Sequence, residues 1–152
     1  MDAAVVTAGA RVVSTHLTLH TERAREFIDM TDRISETVKE AGLTQGLAVI
    51  MSAHTTACVV VNEHEPELLK DLDRMLAEIA PEDKPYAHNG VPCGKGEQPN
   101  GHAHCQALLL SSSASLPIVN GTLVLGRYQR IFLVELDCAR PREVTVALIG
   151  IA

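Results

Sequence analysis

The chain has 152 residues, 46% hydrophobic and 21% charged, with a net charge of −6 when histidine is neutral. That length suits one domain able to bury about two-thirds of its unfolded surface, and the balance excludes a disordered chain. The acidic excess, without any Lys/Arg cluster, excludes a nucleic-acid binder, whose phosphate contacts demand a basic face.

Residues 1–10 are small and expected to be loose. Residues 11–20 alternate, with Val13, Thr15, Leu17 and Leu19 on one side and His16 and His20 among the polar residues of the other. That is a half-buried strand with two solvent-facing histidines. Phe27-Ile28 suits a short second strand or a helix start. Thr31 is a good N-cap, Ile34, Val38 and Ala41 keep helical spacing, and Gly42 ends the run, so a helix is expected over 32–41. GLAVIMS (46–52) and CVVVN (58–62) are continuous apolar runs and read as strands covered on both faces, with Cys58 a small core residue. Between them lies the polar bend AHTTA, which must be internally hydrogen-bonded or functional.

PELLKDLDRMLAEI (66–79) is the clearest helix: Pro66 suits the first turn, and Leu68, Leu69, Leu72, Met75, Leu76 and Ile79 form an apolar stripe that places Met75 in the core. Residues 81–110 then run without a clear period. This stretch holds His88, His102 and His104 with Cys93 and Cys105, and only its end regains apolar character, as a short helix or strand. A loop this long in a compact domain is usually functional. Asn120-Gly121 between two short apolar runs signals a hairpin. QRIFLVEL (129–136) is a strand carrying Glu135, DCARPR a turn, and EVTVALIGI (143–151) the last strand.

These elements add up to an α+β, mostly antiparallel, β-sandwich-like single domain with two main helices. No run of about 18 apolar residues suits a membrane span. The start lacks a basic region before an apolar one, and four irregularly spaced cysteines read as reduced thiols, so a cytoplasmic protein is expected.

Three histidines in a polar loop, with His54 after a buried strand, suit either a metal or acid–base chemistry, because neutral imidazole serves both. The alternative is that they cross-link the loop by hydrogen bonds. A Cys/His zinc through Cys93 and Cys105 is conceivable, but the zinc-deaminase pattern is not met. Gly94-Lys95-Gly96 is only a fragment of a phosphate loop. Arg140 and Arg142 can form an anion clamp, and Glu135 can pair with one of them. Glu63 and Glu135, on apolar strands, are candidate bases.

HTTACVVVNE, LLKDLDRMLAEIAPEDKPYAHN, NGHAHCQALLL, LPIVNGTLVLGRYQRIFLVELD and PREV, taken in order, resemble the YjbQ-type family of secondary thiamine-phosphate synthases from Thr15 onward. The resemblance rests on His54, Thr55, Thr56, Ala57, Asn62 and Glu63, on Tyr86 and His88, on His104, and on Gly126, Tyr128 and Gln129, with Tyr where Trp is usual. Glu135 and Arg142 complete it, while His102 falls where the family varies. It implies a homotrimer with a His-lined pocket and a transferase that joins a hydroxymethylpyrimidine diphosphate to a thiazole phosphate with loss of diphosphate. On this reading His54, His88 and His104 would hold a divalent metal such as zinc. His54, Glu63, Glu135 and Arg142 would be the catalytic and binding groups for a small anionic substrate. A metal-dependent hydrolase and a non-enzymatic trimeric ligand-binding protein are the alternatives.

Overall fold

The structure is a computed structural model and describes residues 9–92, 94 and 98–152. The expected looseness of residues 1–10 therefore falls almost wholly outside the described residues, as does Cys93. Among the described residues eight strands and three helices follow one another: β1 (Arg11–His20), β2 (Glu26–Asp29), α1 (Thr31–Ala41), β3 (Gln45–Ser52), β4 (Ala57–Glu63), α2 (Pro66–Ile79), α3 (Gly101–Leu109), β5 (Ser113–Val119), β6 (Thr122–Leu123), β7 (Gln129–Glu135) and β8 (Pro141–Ile151). A 3-10 turn at Ala87–Gly90 precedes α3.

The strands form two antiparallel sheets, one in the order β1-β8-β3-β5-β6 and one in the order β2-β7-β4. Their facing sides bury Leu17, Ala48, Ile50, Val59, Ile131, Leu133, Val146 and Leu148, and α1 adds Ile34, Val38 and Ala41. The other side of the smaller sheet carries Cys58, Phe132 and Val134 against Leu69 and Leu76 of α2 and Ala103 and Ala107 of α3. The layers are sheet, sheet, helices. The smaller sheet is the middle layer, which is why β4 and β7 read as continuous apolar runs.

The expected sandwich is present, and so are the helices over 32–41 and 66–79. The Asn-Gly hairpin is also there: Asn120 and Gly121 have φ of 51° and 74°, and positive φ at both central residues is what a two-residue loop of this twist requires.

Four local expectations change. There is a third helix, α3. Thr31 is the first residue of α1 rather than its cap. Asp29 does the capping instead, accepting from Thr31 N (2.9 Å) and Oγ1 (2.6 Å), while Thr31 Oγ1 accepts from Ile131 N (2.8 Å). β3 is covered on one face only, since Leu47 and Met51 point away from the sandwich and are exposed. Met75 is 43% exposed, because α2 rests on the sheet through the narrower line of Leu69 and Leu76.

Candidate active site

The site is built where the C-terminal end of β7 meets the bend between β3 and β4. Ser52 closes that bend, donating from Oγ to Ala57 O (2.7 Å) and from its backbone N to Ser112 O (2.8 Å). Thr56 O accepts from Leu136 N (3.0 Å). The polar bend in the sequence is thus both internally hydrogen-bonded and open to a cavity. Its His54 is held from outside: the backbone N–H of Glu143 donates to His54 Nε2 (3.0 Å). That bond leaves the proton of the neutral ring on Nδ1.

Beneath the bend lies the most deeply buried ion pair among the described residues. Arg142 donates from Nε to Glu135 Oε2 and from Nη2 to Oε1, both at 2.5 Å, with side chains 4% and 0% exposed. Arg142 Nη2 also donates to Thr56 Oγ1 (3.1 Å). Glu135 further accepts from Thr21 Oγ1 (3.1 Å) and Asp137 N (2.9 Å). Burial opposes ionisation of Glu135, but the Arg142 guanidinium and these donors override it and hold the carboxyl below its ordinary value. A carboxylate with both oxygens so occupied is a poor base. Glu135 therefore anchors Arg142, as the ion-pair reading of the sequence expects.

Arg140 repeats the arrangement nearby. Its Nη2 donates to Asp137 Oδ2 (2.7 Å) and contacts Cys138 Sγ, and Asp137 Oδ2 accepts from Asn100 Nδ2 (3.1 Å). Thr21 ties the turn down, its backbone N–H donating to Arg140 O (3.2 Å) and its Oγ1 accepting from Arg140 N (3.0 Å).

The other wall comes from α3 and the 3-10 turn. Asn89 Oδ1 accepts from Gly101 N (2.9 Å), locking the turn onto the start of α3. The contact needs glycine: a Cβ on Gly101 would stand 2.5 Å from Tyr86 Cβ and 2.9 Å from Asn89 Oδ1. This docking brings the His88 and His104 rings edge to face, 4.7 Å between centroids. The result is a cavity of about 390 Å³ whose walls include His54, Thr56, His88, His104, Arg140 and Arg142. Burial lowers the pKa of His54, and Arg142 adds to the effect. Burial lowers that of His104 too, helped by His88. Both shifts favour the neutral ring.

The structure thus brings His54, His88, His104 and Arg142 to one cavity, with Glu135 behind it. It does not bring Glu63 there. Glu63 ends β4 six residues from Ala57, about 20 Å along the strand. It lines a different hollow with Asn62, Gly126, Tyr128 and Gln129. His102 is buried beside Tyr86 (ring centroids 6.5 Å) and is absent from the cavity wall, and Cys105 is a free, exposed thiol. Thr21, Asn89, Asp137 and Gly101 support the site without any local sequence signal for it.

A metal held by His54, His88 and His104 requires three donor nitrogens about 2.0–2.1 Å from one point. Among the described residues no three His, Cys, Asp or Glu side chains are so placed, and His54 Nε2 is already engaged by Glu143. The side chains as they stand do not fit a three-histidine ion.

Comparison with known proteins places the chain in one family. Residues 15–151 match the family model described as UPF0047 protein YjbQ-like. A UPF0047 protein of Methanothermobacter thermautotrophicus is 35% identical over 139 residues, covering 91% of this chain and 93% of its own. The YugU protein of Bacillus subtilis is 30% identical, covering 88% and 97%. Among solved structures, a YbjQ-like protein of unknown function from Sulfolobus solfataricus superposes with a TM-score of 0.87 at 34% identity, covering 93% of this chain and 99% of that one. A hypothetical protein from Aeropyrum pernix gives 0.84 at 36%, covering 91% and 98%. No helix of the described residues is long and apolar enough to cross a membrane. The chain belongs to the YjbQ-like UPF0047 family.

Proposed function

We propose that the cavity binds the anionic end of a small phosphorylated substrate and carries out acid–base chemistry on it with its histidines. The observation that carries this reading is the setting of Arg142. Its guanidinium is fixed by Glu135 and Thr56, and both acids that anchor the two arginines are buried behind them. The cations therefore face the cavity and their counter-charges do not. A fixed guanidinium suits bidentate recognition of phosphate. The neutral His54 and His104 can each take up a proton, and an anion bound beside them raises their basicity.

The specific activity to test is the synthase reaction. In it the C–O bond of a pyrimidinylmethyl diphosphate breaks, a C–N bond to a thiazole nitrogen forms, and diphosphate leaves towards Arg140 and Arg142. Purified protein with both substrates should release diphosphate, and Arg142→Lys should abolish that release while leaving the protein folded. Phosphate binding by calorimetry without turnover on any phosphorylated substrate would favour a ligand-binding protein instead.

The resemblance also motivates a homotrimer. Its support on this chain is the uncovered face of the larger sheet, where Leu47, Met51 and Ile149 stand exposed side by side on β3 and β8. Light scattering of the purified protein, with Met51→Lys as the disrupting variant, tests it.

A further inference from the structure

The cavity does not end at the histidines. A second hollow of about 400 Å³ adjoins it and shares His54, Thr55 and His104 as a common wall. Its remaining lining is of a different chemistry: Cys58, Ala107, Leu108, Leu110 and Ser112. Burial pushes the Cys58 thiol up to about 11, and its Sγ lies 3.7 Å from Ala107 O, so it is a neutral apolar wall and no nucleophile. Leu108 lines this hollow and is 85% exposed, so its apolar surface is open to a ligand there. On one side of His54 and His104 stand two guanidiniums, and on the other a groove with no charged residue.

We infer that the site takes an amphiphilic substrate. Its phosphate lies against Arg140 and Arg142, its apolar or aromatic portion lies in the Cys58–Ala107–Leu108–Leu110 groove, and the linkage between them passes His54 and His104. This rests on the anion-binding reading of the cavity and adds to it the nature of the substrate's other end. The groove adjoins the cavity at three shared residues, so a molecule seated on the arginines reaches it by passing His54 and His104. The reacting bond then sits beside the two neutral imidazoles, where a proton can be given or taken at either side of it. A compact anion such as inorganic phosphate fills only half of such a site.

Calorimetry with methyl phosphate and phenyl phosphate tests the inference, because the two carry the same head group and differ in apolar area. The expected result is that phenyl phosphate binds about tenfold more tightly or better, from the ring surface withdrawn from water. Leu108→Ser should remove most of that gain and leave methyl phosphate binding unchanged. Leu108 is exposed, so the variant has no core to lose. Ala107→Phe, which fills the groove, should do the same, and its melting curve checks that it is folded. Equal binding of the two phosphates overturns the inference, as does a gain that survives both substitutions. If neither phosphate binds, the anion-binding reading itself fails, an outcome distinct from the other two.

Discussion

The two ends of the middle sheet carry matching chemistry in very different surroundings. At one end Glu135 on β7 pairs with Arg142 under the cavity. At the other, Asp29 on β2 pairs with Arg130 on β7 (2.7 Å) and His64 (3.0 Å). Each acid is held ionised by a guanidinium. The first pair is sealed from water, whereas Arg130 is 35% exposed and His64 nearly half exposed. Glu63 and Tyr128, which the resemblance marks, sit at the second end. A shared motif in sequence therefore does not mean a shared pocket within one chain. At the first end charges are buried in a fixed array and imidazoles converge above them, and the proposed site lies there.

If that contrast is right, the two acids should differ sharply on removal. Glu135→Gln leaves a buried, underpaired Arg142 and should destabilise the fold by about 3–5 kcal/mol, lowering Tm by roughly 10 °C. Thermal and denaturant unfolding measure it, and a loss under 1 kcal/mol would show that the pair is not sealed. Gly101→Ala should come next. The added Cβ must push Tyr86 and Asn89 aside, at a cost of about 1–3 kcal/mol. It should also separate His88 from His104 and weaken phosphate binding, read by calorimetry.

Asp29→Asn should cost only about 1 kcal/mol at pH 7, because water screens that pair. Its pH signature is definite. Burial works against ionisation of Asp29, but hydrogen bonds from Thr31 and Arg130 overcome it and bring its pKa from 3.8 to about 2. A folded value below the unfolded one gives stability that is present above about pH 4 and lost as pH falls towards 2. The difference between the native protein and Asp29→Asn should vanish across that window in acid unfolding curves. The smallest effect concerns the histidines. His54 and His104 have folded values below 6.5, so their neutral state favours the fold, and stability should decline as pH falls below about 6.5. Replacing both by Asn should flatten that decline by a fraction of a kcal/mol, and saturating phosphate should reverse it by favouring the charged rings.

The parts of the fold legible in the sequence are those whose signal is local. The Asn120-Gly121 turn, the Gly42 stop and the α2 pattern each depend on a few neighbouring residues. α3 is only half legible, as one of two options for the end of 81–110, because it turns His102 and Gln106 inwards, one helical turn apart, where a helix normally presents apolar residues. Gln106 Nε2 satisfies Leu76 O and Ala80 O, each at 3.1 Å, so a polar residue does the docking. β3 and β4 look alike as apolar strings, yet β4 lies in the middle layer and β3 does not, and no string of seven residues contains that fact. In the site, the histidines and Arg142 are visible by residue type. Thr21 is not, because its role is to bridge a carboxylate and a turn more than a hundred residues away.

Those long bridges have a consequence for time. Arg142 reaches Thr56 across 86 residues of chain, Glu143 reaches His54 across 89, and Thr21 reaches Glu135 across 114. Arg142 and Glu143 belong to β8, which lies between β1 and β3, so their two bonds form only once that strand is in place. Chains dominated by such distant pairings fold in milliseconds to seconds rather than microseconds. The pocket has no local precursor that a nascent or partly unfolded chain could present. Phosphate binding followed in a refolding experiment should therefore appear with the final, sheet-closing phase and not before it.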